Sequence, residues 1–360
     1  MSGNLYAVIM AGGGGTRLWP MSRQRHPKQI LRLVGKRTLF EASVDRLLPL
    51  LPLKRVFVVT ASEQVAALAA QYPELPRENF IIEPMGRGTA SCIGLAALHL
   101  HRIDRDGVMA VLTADHHVED VEGFRTCITA ARAVADQGYL VTLGITPTYP
   151  ATGYGYIRQG QRLGSVDGLD YHEVAAFVEK PELDRARDFL KHGGYSWNSG
   201  MFVWRTARIL EEVARWMPEL WSTLEELDAA MDSGAYQARL SELWPALHKE
   251  TIDYGIMERA DRVAVIPVEI GWSDIGSWAS VMSALEDDAA GNVLVGEVMD
   301  LETEETMVIS SAGRLVVTIG LRDLIVVDTP DALLITKREL SQRVKEVVQR
   351  LRAEDRADLL

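Results

Sequence analysis

Cysteine is almost missing from this chain. Its 360 residues include only Cys92 and Cys127, too few for a disulfide framework or a four-sulfur metal site, so a reducing, cytoplasmic setting is expected. Long apolar runs are missing too. None approaches the length that spans a bilayer, and no basic region leads into an apolar core and cleavage site, so neither membrane insertion nor a secretory leader is expected. Positive charge is in deficit. The 38 Lys and Arg stand against 50 Asp and Glu, a formal charge of −12, which argues against nucleic acid as a partner. That balance leaves room for a local cluster of cations and amides that, with a divalent metal, holds a polyphosphate.

What is present alternates between strand and helix. Leu5–Met10 is a short apolar run that meets a glycine cluster at once, as a buried strand feeding a loop does. Thr38 and Glu41 have capping-box spacing, with Leu39, Phe40, Val44, Leu47, Leu48 and Leu51 recurring on one helical face. Strand patterns follow at 55–60, 80–82, 108–112 and 139–145, and helical patterns at 63–71, 89–102 and 124–135. Such alternation predicts a parallel sheet covered on both faces, with ligands at the carboxyl ends of its strands. The glycine loop, Glu83 and Asp115 all occupy that position. From 151 the pattern becomes mixed, with strands at 174–178, 200–204 and 262–268 around a mainly helical stretch over 206–260. After about 290 short β-rich pieces recur at 293–298, 306–309, 315–319, 324–327 and 333–336, as in a small solenoid or meander, and a charged helix over 339–352 follows. The expected fold class is α/β: a Rossmann-like domain over 1–290 with a mixed, mostly parallel sheet, then a small β-helix-like segment and helix over 291–360.

The densest chemical signal runs through Ala11, Gly12, Gly13, Gly14, Gly15, Thr16 and Arg17 to Trp19-Pro20. Glycines let backbone amides face one concavity and let a phosphate approach without Cβ clashes. Arg17 adds a permanently charged fork that suits phosphate oxygens. A bare glycine cluster is more often a turn, so the spelling has to decide. A P-loop requires Gly-Lys-Ser/Thr where Thr16-Arg17-Leu18 stands, and a dinucleotide fingerprint requires a helix where Trp19-Pro20 arrives. Lys28, presented by Pro27 from a basic loop, is read as a point charge within reach of a triphosphate, or else as a solvated loop residue. Asp115 ends an apolar strand, where a carboxylate suits Mg²⁺ or simply caps a turn. The neighbouring His116 and His117 lack the further ligands that zinc requires. His99 and His101, two apart on a helix, do not share a face and are read as structural.

The segment AGGGGTRLWPMSRQRHPKQ resembles the signature of the sugar nucleotidyltransferase family, and is most similar to its mannose-1-phosphate guanylyltransferases. The likeness continues in order through Glu83-Pro84, Thr113-Ala114-Asp115-His116, Thr152-Gly153-Tyr154-Gly155, Phe177-Val178-Glu179-Lys180-Pro181, Trp197-Asn198-Ser199-Gly200, Ile252-Asp253-Tyr254-Gly255 and Trp272-Ser273-Asp274-Ile275-Gly276. The resemblance implies that residues 11–17, Glu83, Arg87, Gly88 and Asp115 bind the nucleotide. It implies that Gly153, Glu179, Lys180 and Asn198 bind the sugar phosphate, and that Asp115 and Asp274 hold Mg²⁺ or Mn²⁺. Arg17, Lys28 and Lys180 are then the catalytic cations. Asp253 is read as a helix-start residue, and Trp197, Trp272 and Trp278 as packing. One departure bears on base choice: Gly88-Thr89-Ala90-Ser91-Cys92 stands where the family typically reads Asn-Thr-Ala-Pro-Ala.

The activity implied is guanylyl transfer from GTP to α-D-mannose 1-phosphate, giving GDP-mannose and pyrophosphate. A phosphate oxygen attacks the α-phosphorus in line, with neither a protein nucleophile nor a strong base. A homodimer supported by the C-terminal β segment is also implied. No isomerase domain follows the final helix, so no phosphomannose isomerase activity is expected. The alternatives are another sugar-1-phosphate nucleotidyltransferase, using glucose or heptose 1-phosphate or a different base, and a non-catalytic nucleotide-sugar sensor. Retention of Arg17, Lys28, Asp115, Lys180 and Asp274 argues against the sensor.

Overall fold

The first apolar run does form a strand, β1 (Leu5–Ala11), buried along nearly its whole length. A computed structural model describes residues 4–360. These fall into two compact units that interleave along the chain. The first takes residues 4–12, 44–114 and 118–272; the second takes 13–43, 115–117 and 273–360.

The first unit is a nine-stranded sheet. After β1 come β2 (Val56–Ala61), β3 (Phe80–Glu83), β4 (Val108–Thr113), β5 (Leu140–Ile145), β6 (Tyr156–Val166), β7 (Leu169–Val178), β8 (Tyr195–Arg205) and β9 (Val263–Val268). Their spatial order is β3-β2-β1-β4-β8-β5-β9-β7-β6. The pairs β1–β2, β1–β4, β2–β3 and β5–β9 are parallel, whereas β8 runs antiparallel to both of its neighbours β4 and β5. The sheet is therefore mixed, as the sequence as a whole predicts. The purely parallel arrangement suggested by the first 145 residues is interrupted by a strand that arrives from residue 195 onward.

The hairpin β6–β7 extends well beyond the predicted 174–178. Its turn is Asp167-Gly168, both at positive φ (52° and 82°), the backbone that a tight two-residue hairpin requires. The stretch 206–260 divides into α-helices Thr206–Trp216, Pro218–Met231 and Tyr236–Leu243, with Pro218 at the first turn of the second. These helices, with Thr89–Ile103, bury Leu95, Phe202, Trp204, Leu224 and Trp244 in one core, each worth roughly 1.5–3 kcal/mol relative to exposure.

The second unit has its own core, in which Leu18, Trp19, Ile275, Trp278, Ile325 and Val348 meet. The Trp278 indole donates to the carbonyl of Trp19 at 2.9 Å, which fixes the loop after the glycines. The capping box forms as spelled: Thr38 N donates to Glu41 Oε2 at 2.7 Å and Glu41 N to Thr38 Oγ1 at 3.1 Å. The helix it opens ends at Asp45 rather than continuing to Leu51, because Pro49 disfavours helical backbone before it.

The C-terminal β pieces are Val293–Val295, Val298–Leu301, Met307–Ser310, Val316–Ile319, Leu324–Asp328 and Leu333–Lys337. The first, third and fifth pair in parallel, as do the second and fourth, which is solenoid rather than meander order; only the last pair is antiparallel. Gly296, at φ 93°, splits the predicted strand 293–298. The closing helix occupies Val344–Ala353, after a 3-10 segment over Arg338–Arg343. No helix among the described residues is long and apolar enough to cross a membrane.

Candidate active site

Gly15 shows why glycine stands in the loop. Its φ is 59°, and a Cβ there would lie 2.5 Å from the Cβ of Lys28, so any side chain would displace that lysine. The 3-10 turn Thr16–Leu18 buries Leu18 and leaves Arg17 exposed. Pro27, in extended conformation, starts a second 3-10 turn at Lys28. Lys28 is only 6% exposed. Its Nζ lies 3.0 Å from Asp115 Oδ2 and also donates to the backbone carbonyl of Asp274. Asp274 Oδ1 accepts from Gly276 N at 3.0 Å, and the buried Ile275 between them sits at φ 44°. A β-branched residue in that region is strained, and such strain persists where surrounding contacts over-determine it. All of these residues belong to the second unit.

Together they line a cavity of about 350 Å³, with Arg17, Lys28, Asp115 and Asp274 on its wall. Burial pushes the Asp115 carboxyl up, but Lys28 and then His116 pull it down, and its net position is below the usual carboxylate range. Asp115 thus stays ionised. His116, read as secondary from the sequence, also lines the cavity and is 9% exposed. Gly13 and Gly14 are exposed with open space where a Cβ would point, while Ala11 closes β1 and Gly12 follows it in the first unit.

Glu83 ends β3 in the first unit and is 8% exposed, and its Oε1 has no hydrogen-bond partner among the described residues. Burial pushes its carboxyl up to about 7. Arg87 donates to the carbonyl of Pro245. Gly88 has φ 90°, and a Cβ there would collide with the Glu250 carbonyl. The departure from asparagine at 88 therefore has a backbone cause: the chain passes too close for any side chain. Thr89 Oγ1 then receives Ile252 N at 2.9 Å.

Glu179, Lys180 and Asn198 come together in the first unit. The Lys180 ammonium pairs with Glu179, and Lys180 itself is held at φ 38° beside Pro181. Gly155 lies against this group. A Cβ on Gly155 would lie 2.8 Å from Glu179 Oε2 and 3.6 Å from Asn198 Cβ, whereas Gly153 is exposed with nothing within 4 Å of that position. Asp253, read as a helix-start residue, accepts from Asn198 Nδ2 at 2.6 Å, while Asn198 Oδ1 accepts from Gly200 N at 3.2 Å. One amide hydrogen and one lone pair of Asn198 are left for a ligand. Asp253 opens a short π-helix over Asp253–Met257, a form frequent at functional sites. Burial raises its carboxyl above the usual range, against the hydrogen bond from Asn198. Trp197 packs edge-on against Tyr149 and Tyr154, and Trp272 against Tyr154.

The nucleotidyl transferase family model matches residues 6–291, and a model described as MannoseP isomerase/GMP-like beta-helix domain matches 296–351. The chain belongs to the nucleotidyl transferase family. It is 41% identical to a mannose-1-phosphate guanylyltransferase of Escherichia coli strain K12, over 98% of this chain and 74% of that protein. It is 42% identical to the mannose-1-phosphate guanylyltransferase ManC of Salmonella typhimurium strain LT2, over 98% of this chain and again 74% of the relative. A crystal structure from Thermus thermophilus, described as a mannose-1-phosphate geranyltransferase, superposes with a TM-score of 0.85 at 35% identity, covering 97% of this chain and 99% of that one. In this nucleotidyl transferase His116 lines the cavity, Gly155 lies against Glu179 and Asp253 holds Asn198, three placements beyond those expected from the sequence. For Gly155 the signal was there: two glycines lie two apart in Gly153-Tyr154-Gly155, and strand β6 starts directly after the second.

Proposed function

We propose that the chain is a mannose-1-phosphate guanylyltransferase, moving the guanylyl group of GTP onto mannose 1-phosphate and releasing pyrophosphate. The observation that carries this is the cavity in which Lys28 joins Asp115 and the Asp274 backbone beside Arg17, taken with near-full-length likeness to guanylyltransferases. The glycine loop with Arg17 and Lys28 holds the triphosphate and stabilises the departing pyrophosphate. Asp115 and Asp274 fit a divalent cation, Mg²⁺ or Mn²⁺. Among the described residues no group of three or more His, Cys, Asp or Glu is placed to hold a metal, but Mg²⁺ characteristically takes one or two carboxylates and completes its shell with water and substrate phosphate. When bound, it neutralises charge on the phosphates and helps align them.

Glu179, Lys180, Asn198 and the Gly153 loop take the sugar phosphate, and Asp253 orients Asn198. Glu83, Arg87 and Gly88 form the base side. An oxygen of the sugar phosphate forms a bond to the α-phosphorus, and the bond from that phosphorus to the β-bridging oxygen breaks. A phosphate monoester is already ionised near neutral pH, so the residues position and neutralise rather than accept a proton.

Residues 1–290 then act as the catalytic part and 291–360 as a supporting part. The setting is cytoplasmic and the assembly a homodimer. The dimer reading rests on an apolar face: Met299 and Leu301 lie in register with Val317 and Ile319, and all four are about half exposed or more.

A second reading, another sugar-1-phosphate nucleotidyltransferase, is favoured by glycine at 88, which removes a side chain from the base segment. Pyrophosphate release across four triphosphates and several sugar 1-phosphates separates the two. GTP with mannose 1-phosphate is expected to give the highest kcat/KM, and a faster rate with another pair would replace the first reading by the second.

A further inference from the structure

The cavity holding Arg17 and Lys28 has one more cation on its wall, Lys345. It comes from the C-terminal helix Val344–Ala353, about 330 residues after the glycine loop, in a segment where the sequence predicts no chemistry. Its place is fixed by packing. Val344 and Val348, on either side of it, are buried in the same core as Leu18, the residue after Arg17. The helix that carries Lys345 is thereby packed onto the turn that carries Arg17.

The Lys345 ammonium makes no hydrogen bond among the described residues; the adjacent Glu346, whose carboxylate feels its charge, is engaged first by Arg343 at 3.0 Å.

We infer that Lys345 is a third phosphate-binding cation, contacting the terminal phosphates of the nucleotide and the pyrophosphate that leaves. The inference rests on the proposed nucleotidyl transfer and extends it: the β-helix segment supplies part of the phosphate site as well as support. With Arg17 and Lys28 it would set three positive charges around a group that carries three to four negative ones.

The test is calorimetric titration of inorganic pyrophosphate, with Mg²⁺ present, into the wild-type chain, Lys345→Met and Lys345→Arg. Lys345 is exposed, so the variants are expected to fold, and unfolding midpoints check this. Lys345→Met is expected to weaken pyrophosphate binding about fivefold or more, with Lys345→Arg within about twofold of wild type. Equal binding by wild type and Lys345→Met overturns the inference, as does a Lys345→Arg variant as weak as Lys345→Met. The two readings fail separately. Wild type that turns over GTP and mannose 1-phosphate beside an unaffected Lys345→Met sinks only Lys345. Lys345-dependent pyrophosphate binding by a chain without turnover sinks the proposed activity and leaves the anion site standing.

Discussion

Glu83 is a buried carboxyl at the end of a sheet strand, and its Oε1 has no partner among the described residues. Burial moves it from 4.5 to about 7. A raised carboxyl favours its protonated form in the fold, so its contribution to stability is intact below about pH 4.5 and is lost as pH rises through about 7. Glu83→Gln is therefore expected to gain on the wild type by about 3 kcal/mol between pH 4.5 and pH 8. Urea unfolding of both proteins at the two ends of that range measures it, and a constant difference would contradict it. At this scale the sequence was legible where short motifs name the residues: Arg17, Lys28, Asp115 and Asp274, from three separate segments, line one cavity. It was not legible where a role depends on a partner far along the chain. Asp253 does start a helical turn, as the sequence suggests, but the fold also brings Asn198, 55 residues earlier, to its carboxylate.

Gly88 acts at the scale of elements. It joins β3 to the helix Thr89–Ile103 at the point where the segment at Glu250 crosses, and three hydrogen bonds, two of them backbone to backbone, bind the two stretches: Glu250 N to the Arg87 carbonyl at 3.3 Å, Ala90 N to the Glu250 carbonyl at 3.3 Å, and Ile252 N to Thr89 Oγ1 at 2.9 Å. Gly88→Ala forces a side chain into an unfavourable backbone region and onto that carbonyl. The expected loss is about 1–3 kcal/mol from the backbone alone, with more from the clash, read as a fall in chemical-unfolding midpoint. An unchanged midpoint would contradict a close crossing at Gly88. Elements whose stop signals are local were legible, as with the capping box at Thr38 and Glu41. The hairpin β6–β7 was largely missed, although Asp167-Gly168 spells its turn, because its strands are half exposed and carry no long apolar run. The antiparallel insertion of β8 was not legible at all, since strand order follows from tertiary packing rather than from local pattern.

For the whole molecule, the outward row of Met299, Leu301, Val317 and Ile319 is expected to meet a second copy. Ile319→Glu puts a charge into that face and is expected to shift the sedimenting species from two chains toward one, with little effect on folding because Ile319 is 64% exposed. A wild-type chain that sediments as a monomer at all concentrations would contradict the dimer. In the proposed reaction, pooled cations and carboxylates align two phosphates for direct displacement, without a covalent enzyme intermediate. The most direct measurement is the stereochemical course at the α-phosphorus, with GTP carrying a chiral α-thiophosphate and mannose 1-phosphate as acceptor, read by phosphorus NMR of the product. Inversion is expected from a single in-line step. Net retention would require two displacements through a guanylylated side chain, and would contradict the mechanism.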